Sequence, residues 1–402
     1  MTATRKGHST TPGRILYLAL ELGWNEWKLG FSTSPAEPVR QRNLRARNLA
    51  GLHKEIAAAK ERFGLAPETP VRCCYEAGRD GFWLHRCLTH HGIDNVVVDS
   101  ASIEVNRRSR RAKSDRLDVE KLVKMLMRYH GGERKIWGVV RVPSVAEEDR
   151  RHLHRDLQEM KAERTQHNNR IKGLLAGVGL DVEVTADFPD RLKELRTWDG
   201  AAVPPELQQR LLREFERWQF VHRQILELGN ERVRRIRQET GESMQKVRDL
   251  LRLRAMGENS AWLFVMELFG WRRIRNRREL ASLAGLTPTP YQSGNSDRQQ
   301  GISKAGNRRV RMMAVEIAWC WLRFQPQSQL SLWYEKRFGS GTSRVRKIGI
   351  VALARKLLVA LWRYLEHGEL PEGAEMKGEG NPLPTGAESE AVESAALQPA
   401  LT

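Results

Sequence analysis

The sequence predicts a chain of mixed class, α/β plus all-α, and three observations carry that expectation. Over the first 143 residues, short apolar runs of strand character alternate with helically spaced segments, the pattern of an α/β sheet. From Ser144 the apolar residues fall at helical spacing in two long, charge-dense stretches either side of an Asp- and Pro-rich connector. Beyond Gly241 the helical segments are shorter and more apolar. A chain of 402 residues is long enough for two or three domains with cores of their own. The expected divisions are 14–143, 144–240 and 241–370. Residues 1–13 are expected to be disordered, as is the Glu-, Gly-, Pro- and Ala-rich tail 371–402.

Taken in order, residues 14–22 read as a buried strand and 26–32 as its hairpin partner across the Gly23-Trp24-Asn25 turn. Helical spacing runs from about 44 to 63. A third strand, 71–75, meets Glu76-Ala77-Gly78, and a helix follows over about 81–91. A strand over 94–99 has the apolar centre Val96-Val97-Val98. After an arginine-rich loop, a helix headed by Lys113-Ser114-Asp115-Arg116-Leu117-Asp118 runs to about Tyr129. Its Val119, Leu122, Met125 and Leu126 share one stripe, which should face a core. The helical stretches 144–177 and 206–238 predict an antiparallel coiled-coil arm, serving oligomerisation or acting as a spacer. Residues 250–257, leading into an apolar helix over 260–269, resemble a helix-hairpin-helix, a unit that offers backbone N–H groups to phosphate. Glu258-Asn259 stand where that unit usually has its second glycine. Apolar helices over 310–324 and 348–365 close the chain.

Charge narrows the function. The 68 Lys and Arg against 49 Asp and Glu leave a net +19, which implies a polyanionic partner, nucleic acid being the commonest. The cations are also clustered. One group is Arg107, Arg108, Arg110, Arg111 and Lys113; a second is Arg272, Arg273, Arg275, Arg277 and Arg278; a third is Lys304, Arg308, Arg309 and Arg311. No apolar run is long enough to span a bilayer, and the first 14 residues are polar and basic, so no membrane role is expected. The four cysteines lack CxxC spacing, which argues against a zinc site and for reduced thiols in a cytoplasmic protein, nucleoid-associated in a prokaryote. No GxxxxGK[ST] sequence is present, so no nucleotide cofactor is expected.

The chemistry centres on acids. Asp115 and Asp118, three apart on a helix, point the same way at the open end of its apolar stripe. Glu21 and Glu76 each stand at the end of a strand. Four carboxylates from separated elements can hold two Mg²⁺ ions about 3.5–4 Å apart, suited to phosphodiester exchange. Each acid also has a structural reading. Ser114 is a good N-cap, acids in a first turn favour the helix dipole, and Glu76 is placed to pair with Arg79. Ser293, before Gly294 in a segment flanked by lysine and arginines, is a candidate nucleophile toward phosphate, although serines in Gly-rich loops are common.

The ordered set of a strand-end acid, Tyr75-Glu76-Ala77-Gly78, Lys113-Ser114-Asp115-Arg116-Leu117-Asp118, a helical arm and a C-terminal block resembles one family. That block comprises Ala284-Gly285-Leu286-Thr287-Pro288, Ser293-Gly294, Ile302-Ser303-Lys304-Ala305-Gly306-Asn307 and Arg311. Over roughly 15–365 the chain resembles the DEDD transposases of the insertion sequence 110 family. The resemblance implies an N-terminal RuvC-like domain of RNase H-type fold with a four-carboxylate Mg²⁺ site. It also implies a C-terminal transposase domain whose serine attacks DNA to form a phosphoserine link. Members are guided by a structured bridge RNA that pairs with donor and target DNA, and act as dimers assembling to tetramers with composite active sites.

By motif, Glu76, Asp115 and Asp118 match the second, third and fourth acids, and Ser293 the nucleophile, with Ser296 and Ser303 close by. The first position departs: Glu21-Leu22-Gly23 stands where the family has Asp, then a small or β-branched residue, then Gly or Ser. The extra methylene moves the carboxylate by about one C–C bond, against Mg–O distances confined to roughly 2.0–2.1 Å. The implied activity is RNA-guided DNA cleavage and rejoining. Two alternatives stay open: a metal-dependent Holliday-junction-type nuclease using water, and a non-catalytic nucleic-acid-binding relic, for which Glu21 is the motive.

Overall fold

A five-stranded mixed sheet organises the first part of the chain in the computed structural model, which describes residues 14–78, 81–103, 115–293 and 296–378. The expected disorder of 1–13 and of 379–402, the arginine-rich loop 107–113 and the Ser114 cap lie outside the described residues. The chain divides into two units, one ending at Pro143 and the other beginning at Ser144.

In the first unit, β1 (Leu16–Leu22), β2 (Glu26–Ser32) and β3 (Arg40–Arg45) form an antiparallel meander. Helix α1 (Leu49–Arg62) crosses over to β4 (Val71–Glu76), and α2 (Trp83–His90) crosses over to β5 (Asp94–Val98). Both crossovers produce parallel pairs, giving the order β3-β2-β1-β4-β5. Alternation sorts the side chains. Leu16, Leu18, Leu20, Trp27, Leu29, Phe31, Cys73 and Tyr75 share a buried cluster with Leu52 and Ile56 of α1 and Leu84 and Leu88 of α2. The other face carries Ala19, Cys74 and Val98 and is covered by α3 (Asp115–His130) through Leu122, Val123, Met125 and Leu126. Close approach of α3 needs Gly30, because a Cβ there would lie 2.2 Å from Val119 Cγ1.

One expectation fails here. Helical spacing was expected from about 44, but the helix starts at Leu49 and Arg40–Arg45 is an edge strand. Its sequence, RQRNLR, has no apolar alternation to announce a strand, and charge is what a solvent-facing edge requires. Arg40 and Arg42 each lie 3.6 Å from Glu55 of α1, which ties the edge to the helix behind it.

The second unit starts with α4 (Val145–Asp149), whose Ser144 and Glu147 form a capping box. Residues 150 and 151 interrupt the single helix expected from 144, and α5 (His152–Ala176) follows. After α6 (Phe188–Glu194), α7 (Pro205–Gln238) packs antiparallel to α5, with Arg170 beside Glu214 and Arg164 beside His222. A small core of Ile171, Leu175, Phe188, Leu192, Leu211 and Phe215 closes the end of this pair. The larger core belongs to α8 (Glu242–Leu251), α9 (Glu258–Phe264) with the π-helical turn Val265–Phe269, α10 (Arg277–Leu283), α11 (Arg308–Phe324), α12 (Gln329–Tyr334) and α13 (Ser343–His367). A hairpin of β6 (Pro288–Ser293) and β7 (Ser296–Ile302) lies between α10 and α11.

One further expectation, the structureless tail, needs correcting. At the α8–α9 turn, the amides of Leu253, Arg254, Met256 and Gly257 donate to Leu250, Glu375, Leu253 and Ser260. These four donors are satisfied within the protein. The acceptor Glu375 lies in the tail expected to be structureless from 371. Residues 371–378 instead dock: Met376 bridges Leu253, Lys377 N donates to the Arg252 carbonyl, and Lys377 Nζ donates to that of Met256. Low hydrophobicity hid this docking because backbone and ion-pair contacts hold the segment. Among the described residues, no helix is long and apolar enough to cross a membrane.

Candidate carboxylate site and serine hairpin

The register of the sheet positions the first two acids. Leu20 pairs with Tyr75 in parallel, so the next residues, Glu21 and Glu76, are neighbours about 4.8 Å apart across the sheet. Leu20 and Tyr75 face α1 and α2; alternation therefore turns Glu21 and Glu76 to the α3 side, where both are half-buried. The direction of α3 brings in the rest. At its far end the His130 ring lies 6.3 Å from that of Tyr17, and Leu122 lies beside Cys74, whose thiol approaches the Leu122 carbonyl at 3.9 Å. Half-buried Asp118 lies one turn before Leu122, and Asp115 opens the helix. Glu21 and Glu76 end neighbouring strands on the face that α3 covers, and Asp115 and Asp118 stand in the first turn of that helix.

These residues are hard oxygen donors, the chemistry that Mg²⁺ takes. Among the described residues no three acidic, His or Cys side chains stand close enough to hold an ion as they are, and only the backbone position of Asp115 is described. The donor chemistry, not an assembled cage, is what these residues share with a Mg²⁺ site.

Sequence reasoning missed Lys28. It pairs directly with Glu21 across β1 and β2 and, by alternation, shares the α3 face. The signal was available: a hairpin turning at 23–25 with partners summing to 49 places residue 28 opposite residue 21.

Ser293 ends β6 rather than sitting in an open loop, and pairs with Ser296; residues 294 and 295 lie outside the described residues. Ser303 is at the opposite end of the hairpin, where its amide donates to the Thr287 carbonyl at 2.8 Å. That root is tightly built. Gly285, at φ 67°, would place a Cβ 2.2 Å from the Ala305 carbonyl oxygen, and Gly306, at φ 106°, would place one 2.4 Å from that of Leu283. Only glycine serves at both. Asn307 caps α11 by accepting from the amides of Arg309 and Val310, while its Nδ2 donates to Glu267 at 2.9 Å.

Glu267 is buried in the π-helical turn and also accepts from His154 at 2.9 Å and Arg155 at 2.8 Å. Burial alone would raise its pKa, but bonds from His154 and Arg155 outweigh that and hold the carboxyl well below the usual carboxylate range. Burial pushes the His154 imidazole down, with Glu267 opposing in part. This network joins the first turn of α5 to the root of the hairpin. Sequence reading passed over it because Glu267 sits inside an apolar run.

Comparison with known proteins now bears on the whole chain. The family model for IS116/IS110/IS902 transposases matches residues 247–332. A Sinorhizobium fredii protein provisionally named a transposase, y4rJ, is 40% identical over 399 residues, covering 94% of this chain and 99% of that protein. The chain belongs to the IS116/IS110/IS902 transposase family. The transposase for insertion sequence element IS1328 of Yersinia enterocolitica is 26% identical over 212 residues, 52% of this chain and 60% of that one. The matched region runs from α8 into α12, so this family member carries its π-helical turn, serine hairpin and Asn307 cap inside it.

The basic clusters of this transposase-family chain divide by environment. Arg107, Arg108, Arg110, Arg111 and Lys113 lie outside the described residues. Arg272 stacks on Trp271 at 4.2 Å, Arg275 pairs with Glu279 at 3.1 Å, and Arg273 is exposed. Lys304 and Arg308 are exposed beside the hairpin root. Arg309 donates to Gln158 at 3.0 Å and Arg311 to the Ala284 carbonyl at 3.3 Å, so both act as internal struts. Counting charge in a sequence does not separate struts from contacts.

Proposed function

We propose that this family member is the recombinase of an insertion sequence, cutting and rejoining DNA under the direction of a structured guide RNA. The observation that carries the reading is the pair Glu21 and Glu76 at neighbouring register positions, on the sheet face covered by the helix whose first turn bears Asp115 and Asp118. The strand order β3-β2-β1-β4-β5 agrees with an RNase H-type, RuvC-like domain. Glu21, Glu76, Asp115 and Asp118 would hold Mg²⁺, which when bound would offset charge on the phosphate oxygens. Lys28 would balance charge at Glu21. The Ser293 hydroxyl would attack phosphorus: an Oγ–P bond forms, a sugar P–O bond breaks, and the released sugar hydroxyl takes up a proton. Attack by a second sugar hydroxyl on the phosphoserine reverses the step, so the bond is conserved without nucleotide hydrolysis. In this reading α5 and α7 form a coiled-coil arm for a dimer that assembles to a tetramer, and the basic surface meets both RNA and DNA.

The test has two parts. Protein isolated from its host is stripped of RNA, which is sequenced and compared with DNA flanking the gene; a discrete flanking-derived RNA is expected, and its absence removes the guided step. The loaded protein is then incubated with cognate DNA and Mg²⁺, and covalent protein–DNA adducts are read on denaturing gels. Adducts are expected from the wild type and not from Ser293→Ala or Glu76→Gln. Cleavage by Ser293→Ala without adduct would replace the serine step with a water-using nuclease. If neither wild type nor Glu21→Asp cuts, the chain is a binding relic.

A further inference from the structure

We propose that Trp24 and Arg47 form a stacking platform for an unpaired nucleobase, holding a nucleic-acid strand where it passes the carboxylate end of the sheet. The assignment deepens the reading of that end as the place where a phosphodiester is handled. Tryptophan is normally well buried, yet Trp24 is 60% exposed. It sits on a fixed turn, not a loose one. A Cβ on Gly23 would fall 2.3 Å from the Glu26 carbonyl oxygen, so only glycine makes this bend. Ala46 N donates to the Asn25 carbonyl at 2.9 Å, and Arg47 Nη1 to the Trp24 carbonyl at 3.1 Å. The Arg47 guanidinium lies 4.8 Å from the indole centroid. Arg47 reaches this place at φ 66°, a left-handed conformation that costs a non-glycine residue energy.

An exposed ring, a stacked cation and a strained backbone thus occur together, and Arg42 and Arg45 extend the positive charge along the exposed edge strand. Flat aromatic surface set among cations is the recognition chemistry of single strands, because every base has a π-face and every nucleotide a phosphate. A duplex hides those faces. Location completes the argument: Trp24 lies three positions on from Glu21, at most about 11 Å of chain. That is roughly the span of three stacked nucleotides at 3.4 Å each.

The experiment measures equilibrium binding by the full-length chain in EDTA, where strand cleavage does not interfere. The probes are a fluorescent 12-nucleotide DNA strand, the same sequence as RNA, its DNA duplex, and that duplex with a single-stranded overhang. Trp24→Ala is expected to weaken strand and overhang binding about tenfold and duplex binding by less than about twofold. Trp24→Phe should retain most of the affinity, and Arg47→Ala should fall between. A larger loss on the DNA strand supports a platform for the substrate, and a larger loss on RNA supports one for the guide. Equal loss on duplex, no loss on any probe, or Trp24→Phe as weak as Trp24→Ala would overturn the proposal. Failure of the carboxylate reading shows separately, as Glu76→Gln or Asp118→Asn proteins that still cleave in Mg²⁺. The EDTA binding data judge Trp24 in either case.

Discussion

The carboxylate row and the serine hairpin are built by opposite means. In the first unit the ladder of a regular sheet sets where Glu21 and Glu76 stand, and their side chains are half-buried. In the second unit, regular structure contributes only the hairpin; its root is set by two left-handed glycines, an Asn cap and a buried carboxylate that joins three elements. A ladder distributes its energy over many equivalent bonds, so one substitution shifts it little. A knot concentrates energy in a few groups with no substitutes.

That contrast can be broken at several points. The largest effects should be chemical and common to both regions: Ser293→Ala and Glu76→Gln should each lower strand cleavage by on the order of 10³-fold or more, measured on cognate DNA in Mg²⁺. Folding should remain intact in both. A Glu76→Gln protein of wild-type activity would detach the row from catalysis. Next in size is Glu267→Ala, which strands His154 and Arg155 and should cost about 3–5 kcal/mol of stability in the second unit, read by denaturant unfolding. If the unit is unaffected, the network is not what holds the root. Gly30→Ala should cost about 1–3 kcal/mol in the first unit by lifting α3 from the sheet, a smaller loss because Val119 can adjust.

Acid should separate the two regions further. Both His154 and Glu267 have pKa values pushed down in the folded chain, so the unfolded chain binds more protons as pH falls. Stability of the second unit should therefore drop below about pH 6.5, as His154 must charge, and again below about pH 4.3, as Glu267 must protonate. His154→Asn should flatten the first limb of a melting-temperature profile; an unchanged profile would remove the histidine from the account. The smallest effect expected is at Lys28. Its removal relieves a cation facing Glu21, and Lys28→Met should lower the half-saturating Mg²⁺ for cleavage by about two- to fivefold, in keeping with a cross-strand pair of under about 1 kcal/mol. An increase would reverse the role assigned to it.

The same contrast explains what could be read in the sequence. Strands with apolar alternation and the stripe of Val119, Leu122, Met125 and Leu126 were legible, because burial writes a period into the chain; all four are buried. Edge strand Arg40–Arg45 was not, since it buries little and carries no period. Lys28 needed the hairpin register to be followed from Glu21 across the turn to its partner strand. Asn307, Gly285 and Gly306 were noticed as a block, but their purpose was hidden, because a knot is made of contacts between residues 20 to 40 positions apart. Docking of 371–378 escaped for a related reason: hydrogen bonds to a turn more than a hundred residues earlier leave no local trace.

The tightness of the hairpin root has a mechanical meaning. From Pro288 to Ser293 the strand is about 17 Å long, since each step advances about 3.4 Å. Viewed as a lever hinged at Gly285 and Gly306, a rotation of about 5° at the hinge sweeps its tip through roughly 1.5 Å, beyond the roughly 1 Å misplacement that already slows a reaction severely. Sub-ångström aim at the tip therefore demands a pivot with almost no play, and glycines wedged against carbonyl oxygens supply a pivot of that kind.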